Sequence, residues 1–154
     1  MIPSTTARVP ANTAAEVNAA IRRQTEESIA RCAADGRAAI DRRLAELDRE
    51  WDIERLLETN ASIASLVGLT LGATVDRKWF LLPTIIAGFL LQHAIQGWCP
   101  PLPIFRRLGV RTQAEIEQER YALKALRGDF QQVSASGAPQ GTAAAERALA
   151  AAAR

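Results

Sequence analysis

The chain is poor in the residues from which most catalytic and metal sites are built. Its 154 residues include one histidine, two cysteines and one tyrosine. A transition-metal site needs more nitrogen and sulfur ligands than His93 and the distant Cys99 supply. The sequence also offers no grouping of nucleophile, base and acid. We therefore expect no metal, no cofactor and no enzymatic activity.

The two cysteines give no sign of a disulfide. Cys32 lies in a charged, helix-like segment, whereas Cys99 lies at the edge of an apolar run. Such unlike surroundings favour two reduced thiols over a structural bridge. Cys99 is the one candidate for a working thiol, since a cysteine at a membrane edge is placed to carry sulfur or to sense oxidation. Against this, its position at a helix C-terminus disfavours the thiolate.

An excess of charge of one sign is also missing. The formal net charge is +2, and residues 13–58 hold eight arginines against eleven acidic residues. Because the two signs are interleaved, the arginines form no basic face, and we predict no nucleic-acid partner. The first ten residues, MIPSTTARVP, lack the apolar core of a secretory signal. We therefore expect the first sixty residues to stay in the cytoplasm.

Two long uncharged runs occupy the middle of the chain. Residues 61–75 carry no charge across fifteen positions, and residues 79–98 carry none across twenty if His93 is neutral. At about 1.5 Å per residue the two helices would span about 22 Å and 30 Å, and the hydrocarbon core of a bilayer is about 30 Å thick. Only residues 76–78 separate the runs, so the helices should be antiparallel neighbours. This pattern predicts a transmembrane hairpin.

Two alternatives to a spanning hairpin stay open. If the second helix begins at Pro83, sixteen residues remain up to Trp98, a length that suits a shallow hairpin entering and leaving the same leaflet. The other alternative is a buried hairpin inside a soluble helical bundle. Little of the remaining chain is apolar enough to cover such a hairpin.

The end of the second run has the residue order of a membrane exit. Trp79 and Trp98 bracket the run, and tryptophan prefers the membrane interface. Three prolines in residues 100–103 then stop the helix, because each lacks an amide donor. We expect the next segment to lie on the membrane surface, with four apolar residues along it and three arginines facing phosphates: Leu102, Ile104, Phe105 and Leu108, then Arg106, Arg107 and Arg111.

The basic residues predict the orientation. The link between the runs carries two basic residues, whereas residues 106–127 alone carry six, against three glutamates. Cytoplasmic segments are the ones enriched in Lys and Arg. Both termini should therefore face the cytoplasm.

Small residues mark the expected contact between the two helices. Gly68 and Gly72 recur four positions apart in the first run, and Gly88 follows Thr84 by four in the second. In lipid, close backbone approach and interhelical hydrogen bonds drive helix association, because burial of apolar surface contributes nothing. We expect these glycines to close the hairpin; dimerisation through the same glycines is the alternative.

Three polar residues fall inside the second run. Gln92, His93 and Gln96 would cost several kcal/mol in lipid without hydrogen-bond partners. We expect a neutral His93 and two glutamines bonded to the first helix or to each other. A functional role for His93 stays open.

We divide the chain into five segments, as follows: a flexible tail at 1–12, a charged helical arm at 13–58, the membrane hairpin with its Cys-Pro exit segment at 59–112, an amphipathic helix at 113–130, and a disordered, alanine-rich tail at 131–154. A transient helix at 143–154 is the alternative to disorder in the last segment. The arm carries an apolar seam able to meet another helix of this chain or of a second copy, formed by Ile40, Leu44, Leu47 and Trp51.

About two-fifths of the chain resembles a known family. The stretch from WDIERLL at 51–57 to AGFLLQHAIQGWCPPLPIFRRLGVRT at 87–112 is similar to the YgaP-like transmembrane domain family of bacterial inner-membrane proteins. Its members pair two short membrane helices and end in Gly-x-Cys-Pro, a short apolar stretch and Leu-Gly. The positions that match here are Gly68 and Gly72, then Gly97, Cys99, Pro100, Leu108 and Gly109.

The resemblance implies a bacterial inner membrane and no settled activity. Some members carry a rhodanese sulfurtransferase domain, which this sequence lacks, and that difference puts a sulfur-transfer role in doubt.

Together these features predict an all-α protein of the bacterial inner (cytoplasmic) membrane. Its two-span transmembrane hairpin would follow a long N-terminal cytoplasmic helical arm and precede a short C-terminal amphipathic helix. We expect a non-enzymatic anchor, scaffold or accessory subunit, with the lipid bilayer and a homo-oligomer or larger membrane complex as partners. The alternative is a membrane-associated thiol protein in sulfur handling or redox sensing through Cys99.

Overall fold

A computed structural model describes residues 4–131 and 142–153 of the chain. All regular secondary structure in these residues is helical, which confirms the predicted all-α class. A 3-10 helix covers Arg77–Phe80, and the α-helices are α1 (Arg8–Ala11), α2 (Ala15–Asp35), α3 (Arg37–Leu47), α4 (Ile53–Thr74), α5 (Leu81–Gln96), α6 (Leu102–Arg107), α7 (Gln113–Arg127) and α8 (Thr142–Ala153).

The described residues form two compact units. The first unit contains residues 4–22 and 51–114, and the second contains residues 23–50, 115–131 and 142–153. The boundary falls inside α2, so each unit holds a part of that helix.

Helix α4 of the first unit is bounded by two aspartates. The side chain of Asp52 precedes the helix and accepts a hydrogen bond from the backbone amide of Arg55 at 2.7 Å. Such an N-cap satisfies one of the amides that a helix start leaves without a partner. After the helix, Asp76 accepts the amide of Lys78 at 2.8 Å and starts the 3-10 helix that leads to α5.

Helix α5 begins with Leu81 and ends at a glycine. Pro83 lies in its first turn, where an amide donor would have no partner in the helix. Gly97 closes the other end with a φ of +78°, and its amide donates to the carbonyl of His93 at 2.7 Å. A left-handed residue of this kind is a common helix stop, and glycine adopts it without strain.

Two helical stretches are long and apolar enough to cross a membrane. They are Ile53–Thr74 and Arg77–Gln96, the second including the 3-10 helix. Within the most apolar part of each stretch, 17% and 6% of the residues are buried. The core helix of a soluble protein is mostly buried. These two helices are unlike such a core helix, because most of their apolar side chains face outward.

The second unit has its own apolar core. The predicted seam on α3 meets α7 there, and the buried cluster comprises Ile40, Leu44, Leu47, Ile116 and Leu123. Trp51, the fourth residue of the predicted seam, is not part of this cluster, because α3 ends at Leu47 and Trp51 belongs to the first unit. Gly36, with a φ of +83°, separates α2 from α3.

A buried ion pair joins the same helices. Glu119 of α7 is fully buried and its carboxylate accepts hydrogen bonds from Arg43 Nε at 2.8 Å and Arg43 Nη2 at 3.0 Å. The hydroxyl of Ser28 on α2 donates to the same carboxylate at 2.7 Å. The hydrogen bond to Glu119 raises the pKa of the Arg43 guanidinium. The guanidinium of Arg43 therefore stays charged under ordinary conditions.

Two predicted tails contain helices. Residues 1–12 were expected to be a flexible tail, but Arg8–Ala11 is helical and Val9 is buried. Residues 131–154 were expected to be disordered, but Thr142–Ala153 is helical, and the carbonyl of Ala152 accepts a hydrogen bond from Lys124 at 2.6 Å. The expectation of a flexible tail is wrong for Arg8–Ala11, and Thr142–Ala153 has the helical form that was the alternative to disorder. Residues 1–3, 132–141 and 154 of the two predicted tails lie outside the described residues.

Candidate functional site

The site is the base of the helical pair, by which we mean the first turns of α4 and the last turn of α5. Glu54 of α4 holds it together. One oxygen of its carboxylate lies 2.8 Å from His93 Nε2 on α5, and the other accepts a hydrogen bond from Arg8 Nη2 of α1 at 2.8 Å. The His93 side chain is 5% exposed. One carboxylate thus connects three helices.

The positions of Glu54 and His93 suit their helix ends. Glu54 lies in the first turn of α4, where exposed backbone amides favour a negative charge, and His93 lies in the last turn of α5, where carbonyls favour a positive one. Among the described residues, His93 Nδ1 is buried and has no hydrogen-bond partner. For a neutral ring, this arrangement favours the tautomer with the hydrogen on Nε2, facing Glu54.

Helix α1 covers the end of α5. Arg8 Nη1 donates to the carbonyl of Ala94 at 2.9 Å, and Asn12 Nδ2 donates to the carbonyl of Gln96 at 2.8 Å. Both carbonyls belong to the last turn of α5, where no later helical amide can reach them. A Cβ at Gly97 would lie 2.5 Å from the Arg8 carbonyl group, so only glycine permits this approach. Arg8 and Asn12, which lie in the segment predicted to be a flexible tail, therefore cap the end of α5.

The exit segment turns two arginines inward. Arg106 is 1% exposed, and its guanidinium donates to Asn18 at 2.9 Å, to the carbonyl of Val110 at 3.0 Å and to Thr13 at 3.2 Å. Arg111 is also buried. The expectation that these two side chains face phosphates is wrong, because protein oxygens surround the guanidinium of Arg106.

A small apolar core lies beneath these polar contacts. It is formed by Val9, Ile53, Leu57, Cys99 and Leu102, with Trp98, Phe105 and Val110 packed against it. Leu102 and Phe105 were expected along the membrane surface, and that expectation is wrong for both. The backbone amide of Ile53 donates to the carbonyl of Arg111 at 2.8 Å, which fixes the exit segment to the start of α4.

Cys99 belongs to this core and is 4% exposed. Burial raises the pKa of its thiol, since removal from water penalises the thiolate. The thiolate is the reactive form of cysteine. The environment of Cys99 therefore suits a small packing residue better than a nucleophile.

The structure brings Gly68 to the contact between α4 and α5, and Gly72 to the contact between α4 and the 3-10 helix. A Cβ at Gly68 would lie 2.7 Å from Pro83 Cδ, and one at Gly72 would lie 2.8 Å from the Phe80 ring. Gly88 has nothing within 4 Å of such a Cβ and is exposed. Gly88 is therefore on a different side of α5.

The three polar candidates of α5 have different environments. His93 is the side chain that reaches α4, and its partner is Glu54, a residue that the sequence placed in the charged arm. Gln92 is half-buried, and Gln96 is exposed and takes part through its backbone carbonyl. No sequence pattern marked Arg8 or Glu54 as part of this site, because both fall in segments predicted to be outside the hairpin.

The polar groups at the base form structural hydrogen bonds between helices. Within residues 4–131 and 142–153, no group of three or more His, Cys, Asp and Glu side chains is placed to hold a metal ion. The buried side chains of His93 and Arg106 and the partly exposed side chain of Glu54 are each bonded to neighbouring helices or segments. Their arrangement holds α1, α4, α5 and the exit segment in one position.

Comparisons with models of known families, with curated proteins and with solved structures give no match for this chain. The resemblance to the YgaP-like family therefore stays a prediction from the sequence.

Proposed function

We propose that this protein is a non-enzymatic anchor, scaffold or accessory subunit of the bacterial inner membrane, with α4 and α5 crossing the bilayer as a hairpin. The observation that carries the proposal is the outward direction of the apolar side chains. Six residues of the pair that are 46% to 63% exposed illustrate it: Ile63, Leu66, Leu69, Leu81, Ile85 and Leu91. Full burial of such a side chain is worth about 1.5–3 kcal/mol, and these side chains gain about half of that free energy when lipid replaces the water at their exposed surface.

Hydroxyl groups on the two helices also suit lipid. Thr70 and Thr74 of α4 each donate to a carbonyl four residues earlier, at 2.9 and 2.7 Å, and Thr84 of α5 does the same at 2.9 Å. All three residues are exposed. In hydrocarbon no water satisfies a hydroxyl, so bonding to the helix's own backbone removes the cost of an unpaired donor.

Tryptophans stand at both ends of α4. Trp51 precedes the helix and is 42% exposed, with the Arg55 guanidinium 4.3 Å from its ring centre; Trp79 follows the helix and is 44% exposed. Twenty-two helical residues span about 33 Å, close to the bilayer thickness. Exposed tryptophans at this separation are typical of the two interfaces of a spanning helix. Trp98 was expected to lie at the membrane interface near the base, together with Trp79 at the other end of the run. Trp98 packs against the apolar core instead.

The base of the pair supports a role in assembly rather than in chemistry. Its charged groups face one another across three helices, and its thiol is buried. A thiol function through Cys99 has less support, because it needs an accessible thiolate.

Cysteine labelling tests the orientation. In a background with Cys32→Ser and Cys99→Ala, single cysteines replace exposed Lys78 in the link and exposed Glu16 on α2. A membrane-impermeant maleimide should label Lys78→Cys in intact spheroplasts and label Glu16→Cys only after permeabilisation. Labelling of neither variant before permeabilisation would contradict the spanning hairpin and favour the re-entrant one.

A further inference from the structure

Helix α6 buries one charged side chain and exposes two large aliphatic ones, one within it and one at its end. Its charged Arg106 is 1% exposed, whereas Ile104 is 62% exposed and Leu108, the residue that ends the helix, is 74% exposed. In water, burial of the guanidinium and exposure of two aliphatic side chains are both unfavourable. The outer face of α6 is therefore suited to a medium less polar than water.

The exposed residues of α6 form one surface. At 3.6 residues per turn, Ile104 and Leu108 lie about 40° apart around the helix axis, and Arg107 lies about 60° from Ile104 on the other side. Arg107 is exposed as well. We call this set of three residues the outer face of α6. It combines two apolar side chains with one cation.

The position of α6 is fixed at the end of the candidate spanning helices. Leu102 of α6 packs with Ile53 and Leu57 in the first turns of α4. The amide of Ile53 is bonded to the carbonyl of Arg111, just beyond α6. Trp51 and the stacked Arg55 lie at the same end of α4. The outer face is thus held near the level where the proposed span leaves the bilayer.

We propose that the outer face of α6 docks on the cytoplasmic leaflet of the membrane, with Ile104 and Leu108 at the acyl boundary and Arg107 on the phosphate of an anionic phospholipid. This inference deepens the proposed function and rests on it. Interfacial helices bury an apolar face to a depth of about 5–10 Å below the headgroups. A basic residue near an anionic leaflet adds attraction to phosphate. The short helix would fix the depth of the hairpin.

Lipid-attached quenchers test the docking. Single cysteines at Ile104 and Leu108, in the background described above, carry an environment-sensitive fluorophore in vesicles of phosphatidylcholine and phosphatidylglycerol. Both positions are exposed, so the label does not disturb the core. Nitroxides near the headgroup should remove most of the fluorescence at both positions, and nitroxides at the chain ends should remove little. A label at exposed Glu26 provides the aqueous reference.

A label at Leu91 of α5 separates failure of this inference from failure of the proposed function. If deep nitroxides quench Leu91 while Ile104 and Leu108 behave like Glu26, the span stands and the docking of α6 is refuted. If Leu91 also behaves like Glu26, both proposals fail. Energy transfer between labels on two copies, without quenching by lipid, would make the outer face a dimer contact and overturn the docking.

Arg107 tests the headgroup chemistry. At the Leu108 label, a nitroxide on phosphatidylglycerol should quench more strongly than the same nitroxide on phosphatidylcholine. Arg107→Gln should reduce that preference about five-fold, the effect of one basic residue at an anionic surface. An unchanged preference in Arg107→Gln would overturn the assignment of Arg107 to phosphate. Arg42→Gln, an exposed arginine of α3, is the control.

Discussion

At the scale of single residues, Glu54 is the residue that connects three helices at the base of the helical pair. Its carboxylate bonds to His93 on α5 and to Arg8 on α1. Glu54→Gln keeps the shape and removes the charge, so both hydrogen bonds lose their charge assistance. We expect a loss of about 1–3 kcal/mol in the free energy of unfolding, measured by thermal unfolding in detergent.

Glu58→Gln is the matched control for this change. Glu58 is exposed on the same helix, and its replacement should alter stability by less than about 0.5 kcal/mol. Equal effects of the two substitutions would show that the contacts of Glu54 contribute nothing to stability.

Cysteine reactivity gives a second prediction at this scale. Because Cys99 is buried and its pKa is raised, its thiolate fraction at neutral pH is lower than that of an ordinary thiol. We expect maleimide to alkylate half-buried Cys32 at least about ten-fold faster than Cys99. The rate at Cys99 should keep rising at pH values where an ordinary thiol is already fully ionised. Peptide mass spectrometry measures both sites, and equal rates at neutral pH would restore the thiol hypothesis.

The sequence identified His93 and Cys99 as unusual residues but not their surroundings. Their partners come from segments far away in the chain, and no local pattern marks Arg8 or Glu54 as part of the base. The burial of Arg106 could not be predicted for the same reason, since Asn18 and Thr13 lie on the N-terminal side of the chain.

At the scale of helices, the contact between α4 and α5 depends on one side of α4. Gly68→Ala adds a methyl group 2.7 Å from the rigid ring of Pro83, so the helices must separate. We expect a loss of about 1–3 kcal/mol, typical of overpacking. Gly88→Ala adds the same methyl group in open space and should leave stability unchanged or slightly increased.

The two glycine substitutions are compared by thermal unfolding and by the size of the protein in detergent. If Gly88→Ala destabilises more than Gly68→Ala and reduces the size, the contact between two copies runs through Gly88. That result would contradict the assignment of the main helix contact to Gly68 and Gly72.

Packing of α7 in the second unit depends on Arg43. Arg43→Met leaves the buried carboxylate of Glu119 without its guanidinium partner. Removal of one member of a buried pair costs about 3–5 kcal/mol, and the partial exposure of Arg43 places the expected loss near about 3 kcal/mol. Arg42→Met, at an exposed position one residue earlier, should have little effect. Loss of helical circular dichroism on heating gives the unfolding midpoint of each variant. Similar midpoints for Arg43→Met and Arg42→Met would contradict the role of the Arg43–Glu119 pair.

Long helices were easier to predict than short ones. Helices α4 and α5 follow from uninterrupted apolar composition, and α3 and α7 follow from apolar residues at helical spacing. Helix α1 has only four residues and contains Pro10, so its helical form depends on contacts with α5 that the local sequence does not encode. Residues at 79–80 were expected in the second helix, but they belong to the preceding 3-10 helix.

At the scale of the whole molecule, two properties were accessible from the sequence. The all-α class and the two helices capable of crossing a membrane are confirmed, because composition and length determine both. The orientation, the membrane and the role in an assembly are proposals, since they depend on partners that one chain does not contain. The resemblance to the YgaP-like family agrees with them without adding a chemical activity.

Extraction from native membranes tests the central claim, that lipid surrounds α4 and α5, most directly. Membranes containing the protein are washed with alkaline carbonate and then with detergent, and each fraction is assayed for the chain. We expect the protein to remain in the carbonate pellet and to require detergent for release, because its apolar side chains would otherwise face water. Release by carbonate, followed by monodisperse behaviour in buffer without detergent, would contradict the account.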